Sequence, residues 1–196
     1  MRREARSRAG VVVPLRSFLD AKARLAPVLD PTERAELAQR MAERVVDAAA
    51  PLDVVVVTGA PEVRQWALDR GIEVVADPGS LDGAASAGRE HLRRAGYVRV
   101  VIAHGDLPRA RALAPLATDL EEPVVALVPC HRDDGTNVLS VPADADFRFA
   151  YGPGSFRRHL AEAQRVGLGV RVVRAPDLVV DVDTPEDLAY LDVPCP

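Results

Sequence analysis

The sequence predicts one α/β domain whose mostly parallel sheet is covered by helices. Three observations carry this. Strand-like and helix-like runs alternate along the chain, the pattern of βα units. The strand-like runs are continuously apolar and β-branched, as in strands buried on both faces. A chain of 196 residues with 48% hydrophobic and 28% charged residues is long enough to bury a core without staples and too apolar to be disordered.

The elements follow in order. Val11 to Val13 form the first strand. Asp30 as N-cap, Pro31 at the first helical position and Glu33 three residues after the cap start a helix reaching about Ala50, a capping-box signal. Val54 to Val57 is a buried strand. Pro61 to Arg70 reads as a helix ended by Gly71, and Ile72 to Ala76 as a strand. Asp82 to Ala95 is helical up to Gly96, followed by a strand from Val98 to Ala103. Further strands are expected at Pro123 to Val128, Val138 to Val141, Val170 to Val173 and Leu178 to Val182, with helices at Phe156 to Val166 and Pro185 to Leu191. Residues 1–9 are expected to be a flexible N-terminus and 10–192 the folded domain, without linker or internal repeat.

The 25 basic residues nearly balance the 29 acidic ones, for a net charge of -4, which argues against a nucleic-acid binder. Only one basic residue, Lys22, is a lysine; an ammonium kept where arginine is otherwise used draws attention to that position. Cys130 and Cys195 have neither zinc-ligand nor disulfide-framework spacing. No apolar run approaches a membrane span, so no membrane partner is expected and the cytoplasm is the expected location.

Ligands of such sheets sit beyond the carboxyl ends of the strands. After the first strand come Pro14-Leu15-Arg16 and Ala21-Lys22-Ala23-Arg24-Leu25. Arg16, Lys22 and Arg24 suit a triphosphate, although a solvated basic loop would look the same. The fourth strand ends in His104-Gly105-Asp106-Leu107-Pro108, where Asp106 either holds a divalent cation on phosphate or caps the following helix. His104 is read as a packed loop residue. In Leu178 to Asp187, an extended backbone puts Asp181 and Asp183 on one face. With Asp106 they make a candidate Mg2+ site, Asp106 and Asp181 first and Asp183 second, because Asp183 also reads as a helix cap. Tyr151-Gly152-Pro153-Gly154-Ser155 opens a helix; its glycines allow close approach to the backbone, and the helix N-terminus suits a phosphate or carboxylate. Arg157 and Arg158 oppose the dipole of that first turn, a mismatch that an anion at the helix end would relieve.

Together these strings resemble one family, the guanylyltransferases of coenzyme F420 biosynthesis. The resemblance runs from Val11 to about Leu191. It is carried by Ala21 to Leu25, Gly105-Asp106-Leu107-Pro108, Gly135-Thr136-Asn137, Phe149 to Phe156 and Asp181-Val182-Asp183-Thr184-Pro185. It implies a single-domain, three-layer αβα nucleotidyltransferase fold (GT-A-like, Rossmann-like) with a mostly parallel mixed sheet. The implied reaction joins GTP to phosphoenolpyruvate or 2-phospho-L-lactate, with release of pyrophosphate and Mg2+ as cofactor. On this resemblance Asp106 and Asp181 hold the metal, and Asp183 stays the second choice of the spacing argument. Thr136, Gly152 and Ser155 bind the phospho-acid. Pro14, Arg16, Lys22, Arg24 and Asp82 meet the nucleotide, and Lys22, Arg24 and Asp106 are catalytic. The sequence departs from the family at Arg16, Asp82, Asp133-Asp134 and Tyr151. Alternatives are a molybdenum-cofactor or sugar-phosphate nucleotidyltransferase of the same fold, or a decayed nucleotide-binding protein.

Overall fold

A computed structural model describes residues 8–118 and 123–191. Its frame is a seven-stranded sheet, β1 Ala9–Pro14, β2 Asp53–Thr58, β3 Glu73–Ala76, β4 Arg99–Ala103, β5 Val124–Pro129, β6 Thr136–Pro142 and β7 Gly169–Val172, in the order β3-β2-β1-β4-β6-β5-β7. β3, β2, β1 and β4 are parallel; β6 runs antiparallel to both β4 and β5, and β7 is parallel to β5. The sheet is therefore mostly parallel and mixed, as expected.

Among the described residues five α-helices connect the strands: α1 Pro31–Ala48, α2 Pro61–Asp69, α3 Leu81–Arg94, the single turn α4 Pro115–Thr118, and α5 Ser155–Arg165. Local chemistry explains their ends. Asp30 and Glu33 form the reciprocal capping box, with Glu33 N–H donating to Asp30 at 2.9 Å and Asp30 N–H to Glu33 at 2.8 Å. Ser80 caps α3, and Gly96 leaves it at φ +88°, a conformation that favours glycine. Successive β1 residues face opposite layers. Val11 and Val13 pack with α1 and α2 side chains such as Ala42, Val45, Val63 and Trp66. Val12 packs with Ala84, Ala85 and Leu92 of α3, in a second core layer that includes Ala163 of α5. Three layers result, with the strand ends left to carry loops.

The structure corrects three expectations. Leu178 to Val182 is not a strand, although Leu178, Val180 and Val182 are all buried. Its backbone groups bond to loops instead of a ladder: Leu178 N–H and Val179 N–H reach Ala175 O, Asn137 Nδ2 donates to Leu178 O, and Val182 N–H reaches Asp106 O. Pro185 to Tyr190 is a 3₁₀-helix, and its N-cap is Thr184 rather than Asp183, with Asp187 closing the capping box. The structure also differs at the N-terminus. Ala9 already belongs to β1, and Arg8 is tied to Asp53 by an ion pair at 3.1 Å. The rest of the expected flexible segment, residues 1–7, lies outside the described residues, as does Cys195. Cys130 is buried and free.

Candidate active site

Three loops beyond the strand ends meet. The loop after β1 leaves the sheet through Leu15, whose N–H bonds Val57 O at 2.9 Å. It is then pinned by Ser17, whose hydroxyl donates to Glu62 of α2 at 2.6 Å and accepts from Leu19 N–H. Gly105, after β4, lets this loop close on its neighbour: a Cβ there would lie 2.2 Å from Leu15 Cδ2. Lys22 is held in the left-handed region at φ 55°, ψ 39°, as the N-cap of a 3₁₀ turn over Ala23–Leu25. A non-glycine residue in that region carries backbone strain, typical of functional loops.

The strained lysine points into acids. Its Nζ donates to Asp106 Oδ2 at 2.7 Å and to Asp183 Oδ1 at 3.2 Å, with only 9% of its side chain exposed. Burial pulls the ammonium's pKa down, but the two carboxylates outweigh it and hold the pKa above its ordinary value. Asp106 shows the converse. Burial pushes it up, yet Lys22 and His104 bring it below the usual carboxylate range. Asp181 has neither lysine nor arginine paired with it; burial and neighbouring Asp106 push its pKa up over a smaller opposing effect of His131. Asp106 Oδ1 and Asp181 Oδ1 are both buried without a hydrogen-bond partner. His131 Nδ1 stands 3.3 Å from the latter and is itself buried without a hydrogen-bond partner.

Pro14, Arg16, Lys22, Arg24, Asp106 and Asp183 line one cleft of about 470 Å³, together with His104 and Gly105. Arg16 and Arg24 are exposed there. Cations and acids expected at three separate strand ends are thus brought to one cavity. The packed reading of His104 understates it, because the residue lines the cleft and its Nε2 is buried without a partner.

Thr136, Gly152 and Ser155 form a second group beside this cleft. Because β6 is reversed, its N-terminal end lies at the carboxyl end of β4: Ala103 pairs with Val138, and His104 N–H bonds Asn137 O at 3.0 Å. Thr136 and Ser155 are each 1% exposed, and their hydroxyls lie 3.4 Å apart. Gly152 and Gly154 adopt φ +99° and +74° to make the turn into α5. Arg158 folds back onto the carbonyls of Ala150, Tyr151 and Pro153. Its place in the first turn is thereby explained without an anion. Asp82 does not line the cleft; its carboxylate accepts from Tyr151 N–H at 2.6 Å, tying α3 to the glycine turn. Asp133 is paired with both terminal nitrogens of Arg174, at 2.7 and 3.2 Å, so its charge is compensated.

Two residues were missed by the sequence reading. Asp187, 1% exposed, accepts from Asp183 N–H at 2.9 Å, Thr184 N–H at 2.8 Å and the Thr184 hydroxyl at 3.1 Å, and pairs with Arg132 at 2.6 Å. It holds the loop bearing Asp181 and Asp183; the Thr184-to-Asp187 spacing was the available signal. His159, fully buried, bonds Thr136 Oγ1 and Ala150 N–H, each at 3.0 Å. It lies one helical turn after Ser155, on the same face.

The family model described as "Guanylyl transferase CofC like" matches residues 9–193. The chain belongs to this family. A phosphoenolpyruvate guanylyltransferase of Sphaerobacter thermophilus is 38% identical over 188 residues, covering 92% of this chain and 90% of the relative. A 3-phospho-D-glycerate guanylyltransferase of Phenylobacterium zucineum is 34% identical, covering 91% and 87%. The crystal structure of a nucleotide-diphospho-sugar transferase from Desulfovibrio desulfuricans G20, described as putative, shares the fold with a TM-score of 0.77 at 18% identity, covering 93% of this chain and 85% of that one. This member of the guanylyl transferase CofC-like family is thus a nucleotidyltransferase in fold and an enzyme by kinship. Among its described residues no helix is long and apolar enough to cross a membrane.

Proposed function

We propose that this enzyme transfers GMP from GTP to phosphoenolpyruvate, releasing pyrophosphate, as a step of coenzyme F420 biosynthesis in the cytoplasm. The observation that carries the reading is Lys22, buried in one cleft between Asp106 and Asp183 with Arg16 and Arg24 on the rim. A nucleotide triphosphate entering there meets three cations, and Asp106 and Asp183, which line the same cleft, keep Lys22 charged. The family membership supplies the base and the acceptor class.

The acceptor's phosphate oxygen is already a nucleophile, so no covalent enzyme intermediate is needed. The protein positions two anions for in-line attack and neutralises their charge. Lys22 and Arg24 face the leaving pyrophosphate, and Pro14 and Arg16 border the nucleotide. Asp82 acts indirectly, by holding the turn at Tyr151. Thr136, Gly152 and Ser155 receive the phospho-acid.

The donor set fits magnesium. Two buried carboxylate oxygens, on Asp106 and Asp181, have no partner, and magnesium commonly takes only one or two protein carboxylates. Among the described residues no three acidic, histidine or cysteine side chains converge to hold an ion; Lys22 takes one oxygen of Asp106 and one of Asp183, while Asp106 and Asp181 each keep a buried, unpartnered oxygen. Asp106 and Asp181 are therefore the residues that would hold Mg2+. When bound, it supplies charge neutralisation at the phosphate oxygens.

The test is pyrophosphate release from GTP and Mg2+ with a panel of phospho-acids: phosphoenolpyruvate, 2-phospho-L-lactate, 3-phospho-D-glycerate and a sugar phosphate. The panel includes 3-phospho-D-glycerate because the Phenylobacterium relative bears that acceptor in its name. Release with phosphoenolpyruvate is expected. Release only with the sugar phosphate, or nucleotide binding without turnover, would overturn the reading.

A further inference from the structure

His159 is not among the residues proposed to touch either substrate, yet its hydrogen bonds fix what the acceptor site can offer. A backbone N–H can only donate, so the bond from Ala150 N–H makes His159 Nε2 an acceptor. Burial, with the nearby charges of Arg158 and His104, pushes the imidazole's pKa down to about 4, so the ring is neutral and its one proton sits on Nδ1. Nδ1–H then donates to Thr136 Oγ1 at 3.0 Å.

The hydroxyl hydrogens can now be counted. Thr136 and Ser155 have one each, and the 3.4 Å contact between them uses one. Because His159 donates to Thr136, the other hydrogen stays uncommitted, on Thr136 or on Ser155. In the opposite tautomer Thr136 would donate to His159 and Ser155 to Thr136, leaving only lone pairs, which repel an anion. We infer that His159 is a positioning residue: held by Ala150 as the Nδ1–H tautomer, it polarises the Thr136–Ser155 pair so that one O–H is presented to the anionic acceptor. The inference rests on the acceptor site proposed above. An uncommitted O–H donor in a nearly dry site favours a phosphate or carboxylate over a neutral group, since an anionic acceptor gives the stronger hydrogen bond.

Two measurements test it. Nitrogen-15 NMR of the imidazoles in the wild-type protein, without substrate, is expected to show His159 protonated on Nδ1 and bare on Nε2; protonation on Nε2 overturns the inference. Steady-state kinetics then compares His159→Asn, whose amide nitrogen takes the Nδ1 position, with His159→Gln, which reproduces only the Nε2 end. The expected KM for phosphoenolpyruvate stays within about threefold for Asn and rises more than about tenfold for Gln, with KM for GTP unchanged in both. Equal effects in both variants, following their thermal stabilities, would reduce His159 to packing and overturn the inference. Should either variant fail to fold, the NMR measurement decides alone. Should the wild type turn over no phospho-acid, the acceptor reading falls, while the tautomer still shows whether His159 does its part.

Discussion

Replacing Asp187 by alanine should detach the loop that carries two of the three site carboxylates. The carboxylate is 1% exposed and accepts three hydrogen bonds on Oδ2, from Asp183 N–H, Thr184 N–H and the Thr184 hydroxyl. Its other oxygen meets Arg132 at 2.6 Å. Hydrogen bonds to a charged group contribute about 1.5–3 kcal/mol each, and losing a helix cap costs about 1 kcal/mol. These do not add, because Asp183 and Thr184 are only half-buried and water replaces part of what they lose. Arg132 is 46% exposed and is left in water, so that pair adds at most about 1 kcal/mol, and the expected loss, carried mainly by the three hydrogen bonds, is about 3 kcal/mol. Urea unfolding of wild type and Asp187→Ala at neutral pH measures it. Burial pushes this carboxyl's pKa up, but the Asp183 and Thr184 donors and Arg132 hold it below the usual value. Its contribution is therefore full above the unfolded-state pKa and is lost as pH falls through the folded one. The gap between the two proteins should narrow in acid. A loss below about 1 kcal/mol at neutral pH, or a gap that does not narrow, would refute the anchoring role.

Other expectations follow from the same geometry. Asp106→Asn should keep the fold and lower turnover by about two orders of magnitude or more, read by pyrophosphate release with magnesium saturating. Lys22→Arg should also lower turnover, by about tenfold or more, because a planar fork replaces a compact ammonium set between Asp106 and Asp183; unchanged kinetics would make the lone lysine incidental. Since the His159 pKa is lowered to about 4, the unfolded chain takes up its proton first. Stability is full above about pH 6.5 and falls by about 3 kcal/mol on acidification to about pH 4, a slope that urea titrations should find missing in His159→Asn. Gly88→Ala should cost about 1–3 kcal/mol by overpacking, because its Cβ would lie 2.4 Å from Val12 Cγ1; thermal unfolding measures this.

The centre of the sheet was legible because its strands are buried on both faces, as at Val55 to Val57 and Val100 to Ala103, whereas the edge strands β3 and β7 are largely exposed. The caps were legible where local chemistry suffices, as at Asp30 and Glu33. Leu178 to Val182 was misread because burial alternates there as in a strand, while the hydrogen bonds that define a strand depend on distant partners such as Asn137 and Asp106. Lys22 stood out by composition, and Asp106 by its place at a strand end. Their contact spans 84 positions and no local pattern announces it. His159 was invisible for a similar reason: its significance lies in which nitrogen Ala150 engages.

The reversed strand β6 has a consequence for how such a site can change. Nucleotide contacts are proposed on the loops after β1 and β4, whereas acceptor contacts are proposed at the start of β6 and at the glycine turn into α5. The two sets come from different stretches of chain and meet where His104 N–H bonds Asn137 O and the His104 ring lies against Tyr151. Substitutions around residues 133–159 can therefore retune which small acid is accepted while the machinery that handles the triphosphate stays in place. On the proposed assignment, donor and acceptor contacts are thus encoded in separate stretches of one fold.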